Sequence, residues 1–337
     1  MKKKIILLTF MVFCFFFTMS NLKADDIRGY MIPEYYSVIS SNSSEFQGQN
    51  GFWFRRIYLG YNSDLGGGWS VKVRLEMDSA AYEKDLVFPY IKNIHIKKKI
   101  GRGANLLIGL IEPPSFNKVE KFWGFRYIEK TPADFFKFAS SRDTGIAING
   151  KTEKGIVYTA MFGNYGSNKG EWNKGKAVYG RLGYEAKSFY TEVNGYHASD
   201  GNKKRSYLSF FGGLKGSWGR GGLVYNYLFE RSGSVESRNN GIISGFAVIN
   251  ISNKTQVFAR YDMLKDLNFN NIGGFVPSLA SEYKARYIMT GINLRVNGMI
   301  QFSPNFRYMF YSGDNAPKGD IYITLTAKVS FKSKFNK

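Results

Sequence analysis

Long segments in which apolar and polar residues alternate constrain this chain more than any other feature. Trp69, Val71, Val73, Leu75 and Met77 interleave with Ser70, Lys72, Arg74, Glu76 and Asp78. Near the other end, Ile321, Ile323, Leu325, Ala327, Val329 and Phe331 interleave with Tyr322, Thr324, Thr326, Lys328 and Ser330. A strand places successive side chains on opposite faces, so each segment has one apolar and one polar wall. Soluble sandwiches alternate too. The segments here run about 9–12 residues, the length a tilted strand needs to cross a bilayer, against about five or six in soluble sheets. Aromatic residues make up 17% of the chain, and several end a segment, as Tyr61 and Trp69 do beside one turn. Girdles of that kind mark the two interfaces of a membrane barrel. The expected fold is all-β, a transmembrane antiparallel β-barrel closing on a terminal strand that ends at Phe331.

The N-terminus sets the expected compartment. Lys2, Lys3 and Lys4 precede an apolar run from Ile5 to Phe17, broken only by Thr9, and Leu22-Lys23-Ala24 offers a small residue before a cut at Asp25. The run is short for a spanning helix and has the flanks of an export signal, so residues 1–24 read as a cleaved signal peptide. An uncleaved anchor is the alternative. Residues 25–337 then form one domain, in the outer membrane of a Gram-negative-type bacterium. The sole cysteine, Cys14, lies inside the signal, which leaves 25–337 without a disulfide, thiolate metal site or cysteine nucleophile. Only His95 and His197 are present, on different expected strands, so neither a metal site nor a cofactor is expected. The first 24 residues hold four lysines and no acid, so their removal takes the formal charge from +21 to +17. Such a balance suits an acidic lipid surface, nucleic acid or an anionic solute. No nucleic-acid motif occurs, and export argues against DNA.

Counting connections gives topology. Short Gly- or Asn-rich turns are expected at Asn62–Gly68, Lys98–Gly103, Asn149–Gly155, Glu185–Ser188, Lys215–Arg220, Ser252–Lys254 and Asn297-Gly298. Longer connections are expected at Ile39–Asn50, Ser79–Leu86, Glu112–Arg142, Asn164–Lys174, Ser199–Lys204, Arg231–Asn240, Leu264–Tyr283 and Ser312–Gly319. Seven short and eight long connections join sixteen strands, with both termini on the short-turn side, the periplasmic side in such barrels. Strands 4, 6 and 12 carry the weakest pattern, which leaves fourteen or eighteen as alternatives.

The third long connection stands apart. From Glu112 to Asp143 it carries Lys118, Lys121, Arg126, Lys130, Lys137 and Arg142 among five acids. Thr131-Pro132-Ala133-Asp134 reads as a helix start, with Thr at the N-cap and Pro at N1, for a helix expected over Thr131–Ala139. Phe116, Phe122, Trp123, Phe125, Tyr127, Phe135, Phe136 and Phe138 are too many aromatics for an exposed loop. We expect the loop to fold inward, its aromatics against the wall and Lys118, Lys121, Arg126, Lys130 and Arg142 at a constriction. A surface loop packed on its neighbours is the alternative.

Three motifs in order carry a family resemblance: Phe54-Arg55-Arg56-Ile57-Tyr58-Leu59-Gly60 before the Trp69–Asp78 strand, Ile108-Gly109-Leu110-Ile111-Glu112-Pro113-Pro114 before the long loop, and Ser140-Ser141-Arg142-Asp143-Thr144-Gly145 after it. In these the chain resembles the outer-membrane porins that include the phosphate- and polyphosphate-selective ones. The resemblance implies a sixteen-stranded, usually trimeric barrel with an inward-folded third extracellular loop. Its phosphate-specific members carry an arginine ladder and a lysine cluster at the constriction.

With apolar residues outward, the expected lumen face carries Arg56, Lys72, Arg74, Lys97, Arg181, Arg260, Arg295, Arg307 and Lys328 against Glu76, Asp78, Glu192, Glu230 and Asp262. The excess of cations predicts a passive pore for small hydrophilic solutes that favours anions, and the resemblance adds phosphate-like anions to the expected solutes. Solvated wall charges without selectivity are the alternative. Outer-membrane lipid and lipopolysaccharide are the expected surroundings. An enzyme would need a nucleophile and base; two histidines and no G-x-S-x-G motif speak against one. A barrel used as an adhesin or envelope anchor is the remaining rival, since the connections at Leu264–Tyr283 and Asn164–Lys174 are aromatic.

Overall fold

A computed structural model of the chain describes residues 24–78, 88–167, 174–233, 235–264, 280 and 283–333. The signal-like residues 1–23, much of the connections near 79–87, 168–173 and 265–282, and the tail 334–337 lie outside these. The first eight strands are β1 (Ala24–Ser40), β2 (Asn50–Gly66), β3 (Trp69–Asp78), β4 (Phe88–Gly101), β5 (Ala104–Ile111), β6 (Asp143–Lys151), β7 (Ile156–Gly163) and β8 (Lys176–Glu185). The second eight are β9 (Phe189–Asp200), β10 (Lys203–Gly216), β11 (Gly219–Ser232), β12 (Val235–Asn250), β13 (Thr255–Leu264), β14 (Lys284–Arg295), β15 (Ile300–Ser312) and β16 (Asp320–Ser333). Each strand pairs antiparallel with the next, and β1 pairs with β16, where Met31 faces Val329 and Tyr35 faces Leu325. Sixteen strands therefore close a barrel with no free edge, the arrangement that satisfies every ladder hydrogen bond in an apolar medium.

Alternation sorts the two faces. On β8, Val178 and Leu182 are 60% and 57% exposed, while Tyr179 and Arg181 between them are 4% and 8% exposed. The outer belt is thus aliphatic and aromatic, as the sequence pattern predicts, while the inner face carries the polar residues together with buried apolar ones such as Phe246, Phe258, Tyr287 and Met289. β4, β6 and β12 all form. On β1 the inner face includes buried Ile32 and Val38 beside Glu34, which is why alternation alone does not resolve its phase.

Two connections differ from expectation. Ser199–Lys204 and Arg231–Asn240 read as long loops, but β9 runs on to Asp200 and β11 to Ser232, and only two residues separate each from the next strand. Backbone pairing continues beyond the apolar belt, so polar residues such as Lys203, Lys204 and Arg231 sit in the ladder. On the opposite rim the turns are tight as expected. β2 and β3 are joined across Gly67-Gly68, where Gly66, Gly67 and Gly68 all take positive φ, a backbone that glycine adopts without steric penalty.

Residues 112–142 contain two short helices, α1 (Asn117–Trp123) and α2 (Pro132–Phe135). α1 is absent from the sequence reading. α2 starts where expected, with extended Thr131 before Pro132, but Thr131 makes no side-chain cap hydrogen bond. The expected helix to Ala139 stops after four residues: Phe136 and Phe138 are fully buried, and Lys137 takes φ 58°, which a continuing helix does not allow. Phe116, Trp123, Phe125, Tyr127, Phe135, Phe136 and Phe138 of this segment are all buried. Trp123 packs edge-on against Phe246 of β12 and Phe258 of β13 at 5.5 and 5.9 Å, and Phe135 stacks on Tyr287 of β14 at 5.2 Å.

Candidate functional site

Two strand bulges supply cations that strict alternation would turn outward. On β2, Phe54 and Ile57 are three residues apart rather than two. The register with β1 steps from Arg56 opposite Ile32 to Phe54 opposite Pro33. Arg55 is the extra residue, so Arg55 and Arg56 are both 6% exposed. On β4, Ile91 and Ile94 show the same spacing; Arg74 faces Asn93 and Leu75 faces Ile91, leaving Lys92 between them without a partner in the ladder. Lys92 and Asn93 are both buried while Ile91 and Ile94 are each 45% exposed. A bulge re-aims side chains at the cost of one paired residue. Lys92 is absent from the sequence-based lumen face because strict alternation turns it outward; the three-residue gap between the isoleucines is the signal that reveals it.

Arg56 and Lys92 converge on Glu76 of β3. Arg56 Nε lies 2.7 Å from Glu76 Oε1, Lys92 Nζ lies 2.7 Å from Oε2, and the Tyr58 hydroxyl donates to Oε1 at 2.8 Å. Arg142 Nη1 approaches Oε2 at 3.7 Å. Three cations thus share one fully buried carboxylate. Nearby, Arg126 of the 112–142 segment is paired with Glu120 and, at 2.9 Å, with Asp134. These groups border a cavity of about 440 Å³. Its lining includes seven cations (Arg56, Lys92, Arg126, Lys130, Lys137, Arg142 and Arg205) and two acids, Glu76 and Asp134. Burial pushes the Lys130 ammonium down to about 7, against the opposing pull of the Asp134 carboxylate.

A second set of cations ties residues 112–142 to the wall. Arg55 donates to Glu129 at 2.6 Å, and Arg307 of β15 contacts the same carboxylate at 3.4 Å while pairing with Glu34 of β1 at 2.9 Å. Arg260 of β13 donates to the Lys130 carbonyl and pairs with Asp262 at 2.5 Å. Arg220 of β11 donates to the Trp123 carbonyl at 3.0 Å. The Tyr127 hydroxyl contacts Ser303 Oγ of β15 at 2.7 Å, and Tyr196 of β9 donates to the Phe138 carbonyl at 2.8 Å. A segment leaving β5 therefore finds partners on β2 in one direction round the ring and on β9, β11, β13 and β15 in the other.

These contacts revise several expectations. Arg260 and Arg307 point to the inner face, are 3% and 1% exposed, and contact the Lys130 carbonyl and the Glu129 carboxylate of the segment. Of the cations expected at the constriction, Arg126 is held between Glu120 and Asp134, and the Lys118 ammonium pairs with Glu185 at 3.3 Å. Lys121 is exposed, and Lys130 and Arg142 border the cavity.

Among the wall residues, Arg181 pairs with Glu192 at 2.8 Å and Lys72 with Glu112 at 3.4 Å. Arg74 lies over the Tyr58 ring at 5.6 Å, and Lys328 over Tyr30 and Tyr127 at 5.0 and 5.3 Å. Arg295 donates to Gln256 at 2.9 Å, Lys97 is half-buried, and Glu230 pairs with Arg205 at 3.1 Å. The Asp78 side chain lies outside the described residues. Among the described residues, no group of three or more His, Cys, Asp or Glu side chains is placed to hold a metal.

No family model matches the sequence, and neither does any curated protein. Solved structures do match in shape. An anion-selective porin from Comamonas acidovorans is 11% identical with a TM-score of 0.67, over 90% of this chain and 98% of that one. The outer membrane channel DcaP of Acinetobacter baumannii is 13% identical with a TM-score of 0.63, over 91% and 97%. Salmonella typhi OmpF, in complex with daunomycin, is 11% identical with a TM-score of 0.65, over 92% and 98%. At such identities the likeness is one of fold: the chain has the closed, sixteen-stranded antiparallel architecture of outer-membrane porins.

Proposed function

We propose that this protein is a passive outer-membrane channel for small hydrophilic solutes that favours anions, phosphate-like ones among them, and that residues 112–142 fold into the barrel as its constriction. The observation that carries this reading is the cavity bordered by seven cations and two acids. In a narrow, low-dielectric passage such an excess concentrates anions and repels cations. The inward placement of the loop is supported by its hydrogen bonds to strands on both sides of the ring, and by the packing of Trp123 and Phe135 on inner-face aromatics. The shape likeness to an anion-selective porin agrees with the charge. Residues 1–24 act as the export signal, and the chain assembles as a trimer surrounded by outer-membrane lipid and lipopolysaccharide; one matched structure is a trimer form of Vibrio cholerae OmpT.

Ion replacement in planar bilayers tests the preference. Exchanging chloride for the bulkier gluconate is expected to lower single-channel conductance far more than exchanging potassium for lithium. The reverse order sinks the proposal.

The preference should also depend on pH. Lys130 is held near 7, so it is charged below that pH and neutral above it. Raising the pH from about 6 to about 7.5 neutralises much of the Lys130 ammonium in the cavity. Anion preference, read from the reversal potential, therefore falls as pH rises through 7, and Lys130→Met weakens that dependence. A preference that climbs with pH contradicts this assignment.

A further inference from the structure

The cavity lining holds two clusters of unlike chemistry. Arg56, Lys92 and Arg142 gather around Glu76. The other cluster is of tyrosines, with Arg205 beside them: Tyr165 lies 6.0 Å from Tyr196, ring centre to ring centre, and Tyr179 lies 5.4 Å from Tyr196. All three tyrosines border the cavity. The hydroxyls of two are committed elsewhere. Tyr179 donates to Asp143 at 2.8 Å and Tyr196 to the Phe138 carbonyl at 2.8 Å. What these two offer the cavity is ring carbon. A lining made only to pass hydrated inorganic ions gains nothing from clustered, mutually tilted rings with engaged hydroxyls.

We propose that this cavity selects anions carrying a flat aromatic body, aromatic carboxylates in particular, over compact or saturated anions of the same charge. The proposal rests on the anion reading and adds to it. The carboxylate meets the guanidinium and ammonium groups, and charge-assisted hydrogen bonds to arginine hold it. The ring lies toward the tyrosines, where offset or edge-on aromatic contact is favoured over contact with a puckered saturated ring. The cations add a second preference, because they sit favourably over aromatic faces. The site already contains such a contact: the Arg142 guanidinium lies 5.1 Å from the centre of the Tyr90 ring, another cavity residue. The volume of about 440 Å³ lies in the usual range for small-molecule sites.

The test uses the full-length protein in planar bilayers and asks how well benzoate, cyclohexanecarboxylate and acetate inhibit the chloride current. Benzoate is expected to half-block at a concentration about fivefold lower than cyclohexanecarboxylate, the factor that one aromatic contact supplies, with acetate weaker than both. Tyr165→Leu is expected to abolish the difference between the two ring acids. Tyr165 lies after β7, outside the strands, so closure of the barrel does not depend on it. Tyr196→Phe, which keeps the ring, retains the difference. Equal block by the two ring acids in a chloride-preferring channel overturns this inference alone. An aromatic advantage that survives Tyr165→Leu unchanged also overturns it, since the ring would then be recognised elsewhere. A channel that prefers potassium overturns the anion reading beneath it.

Discussion

Replacing Ser115–Lys137 with a short Gly/Ser bridge is expected to raise single-channel conductance severalfold while the barrel still inserts. No strand is touched: β5 ends at Ile111 and β6 begins at Asp143. The resistance of a pore is set by its narrowest part, and in our proposal this segment creates that part. Its removal strips Trp123, Phe125 and Phe135 from the inner face and opens Arg55, Arg260 and Arg307 to water. Anion preference should weaken at the same time, because Arg126, Lys130 and Lys137 leave against one acid, Asp134, and the remaining charges act across a wider lumen. Conductance equal to wild type would mean that the segment lies outside the conducting path.

Glu129→Leu should have the largest effect of any single substitution. Glu129 is fully buried between Arg55 and Arg307. Arg307 keeps Glu34 when Glu129 is lost, but Arg55 loses its ion pair while 6% exposed. Breaking a buried pair from one side costs about 3–5 kcal/mol, because an uncompensated charge stays behind. The expected result is a lower melting temperature in detergent and a noisy open channel as residues 112–142 undock. The double substitution Arg55→Leu with Glu129→Leu should recover much of the stability, since replacing both partners by apolar groups is often close to neutral. A single variant as stable and as quiet as wild type would show that this ion pair does not hold the loop.

The barrel was legible because the outer face is selected by its surroundings. Apolar residues recur at alternate positions along much of the outer face, as Ile146 and Ile148 do on β6 and Ile292 and Leu294 on β14, and Gly66–Gly68 marks a turn without help from tertiary contacts. Strand ends beyond the belt were less legible: around Asp200 and Ser232 the backbone ladder continues among polar residues, and hydropathy no longer reports pairing. The bulges at Arg55 and Lys92 had a sequence signal, a three-residue gap between outward residues, but a strict period of two hides it. The partners of the 112–142 segment had no such signal. That Arg307 meets Glu34 and Glu129, or that Tyr127 reaches Ser303, depends on ring closure bringing together residues more than a hundred positions apart. Counting inward cations therefore found the sign of the lining charge without separating the anchors, Arg260 and Arg307, from the groups that border the cavity.

The reversal potential of the purified channel in a steep KCl gradient tests the central claim most directly. With seven cations and two acids bordering the cavity, the account predicts a potential displaced toward the chloride equilibrium value, shrinking toward zero when Lys92 and Arg142 are both changed to glutamine. A potential displaced toward the potassium value in the wild-type protein would contradict it.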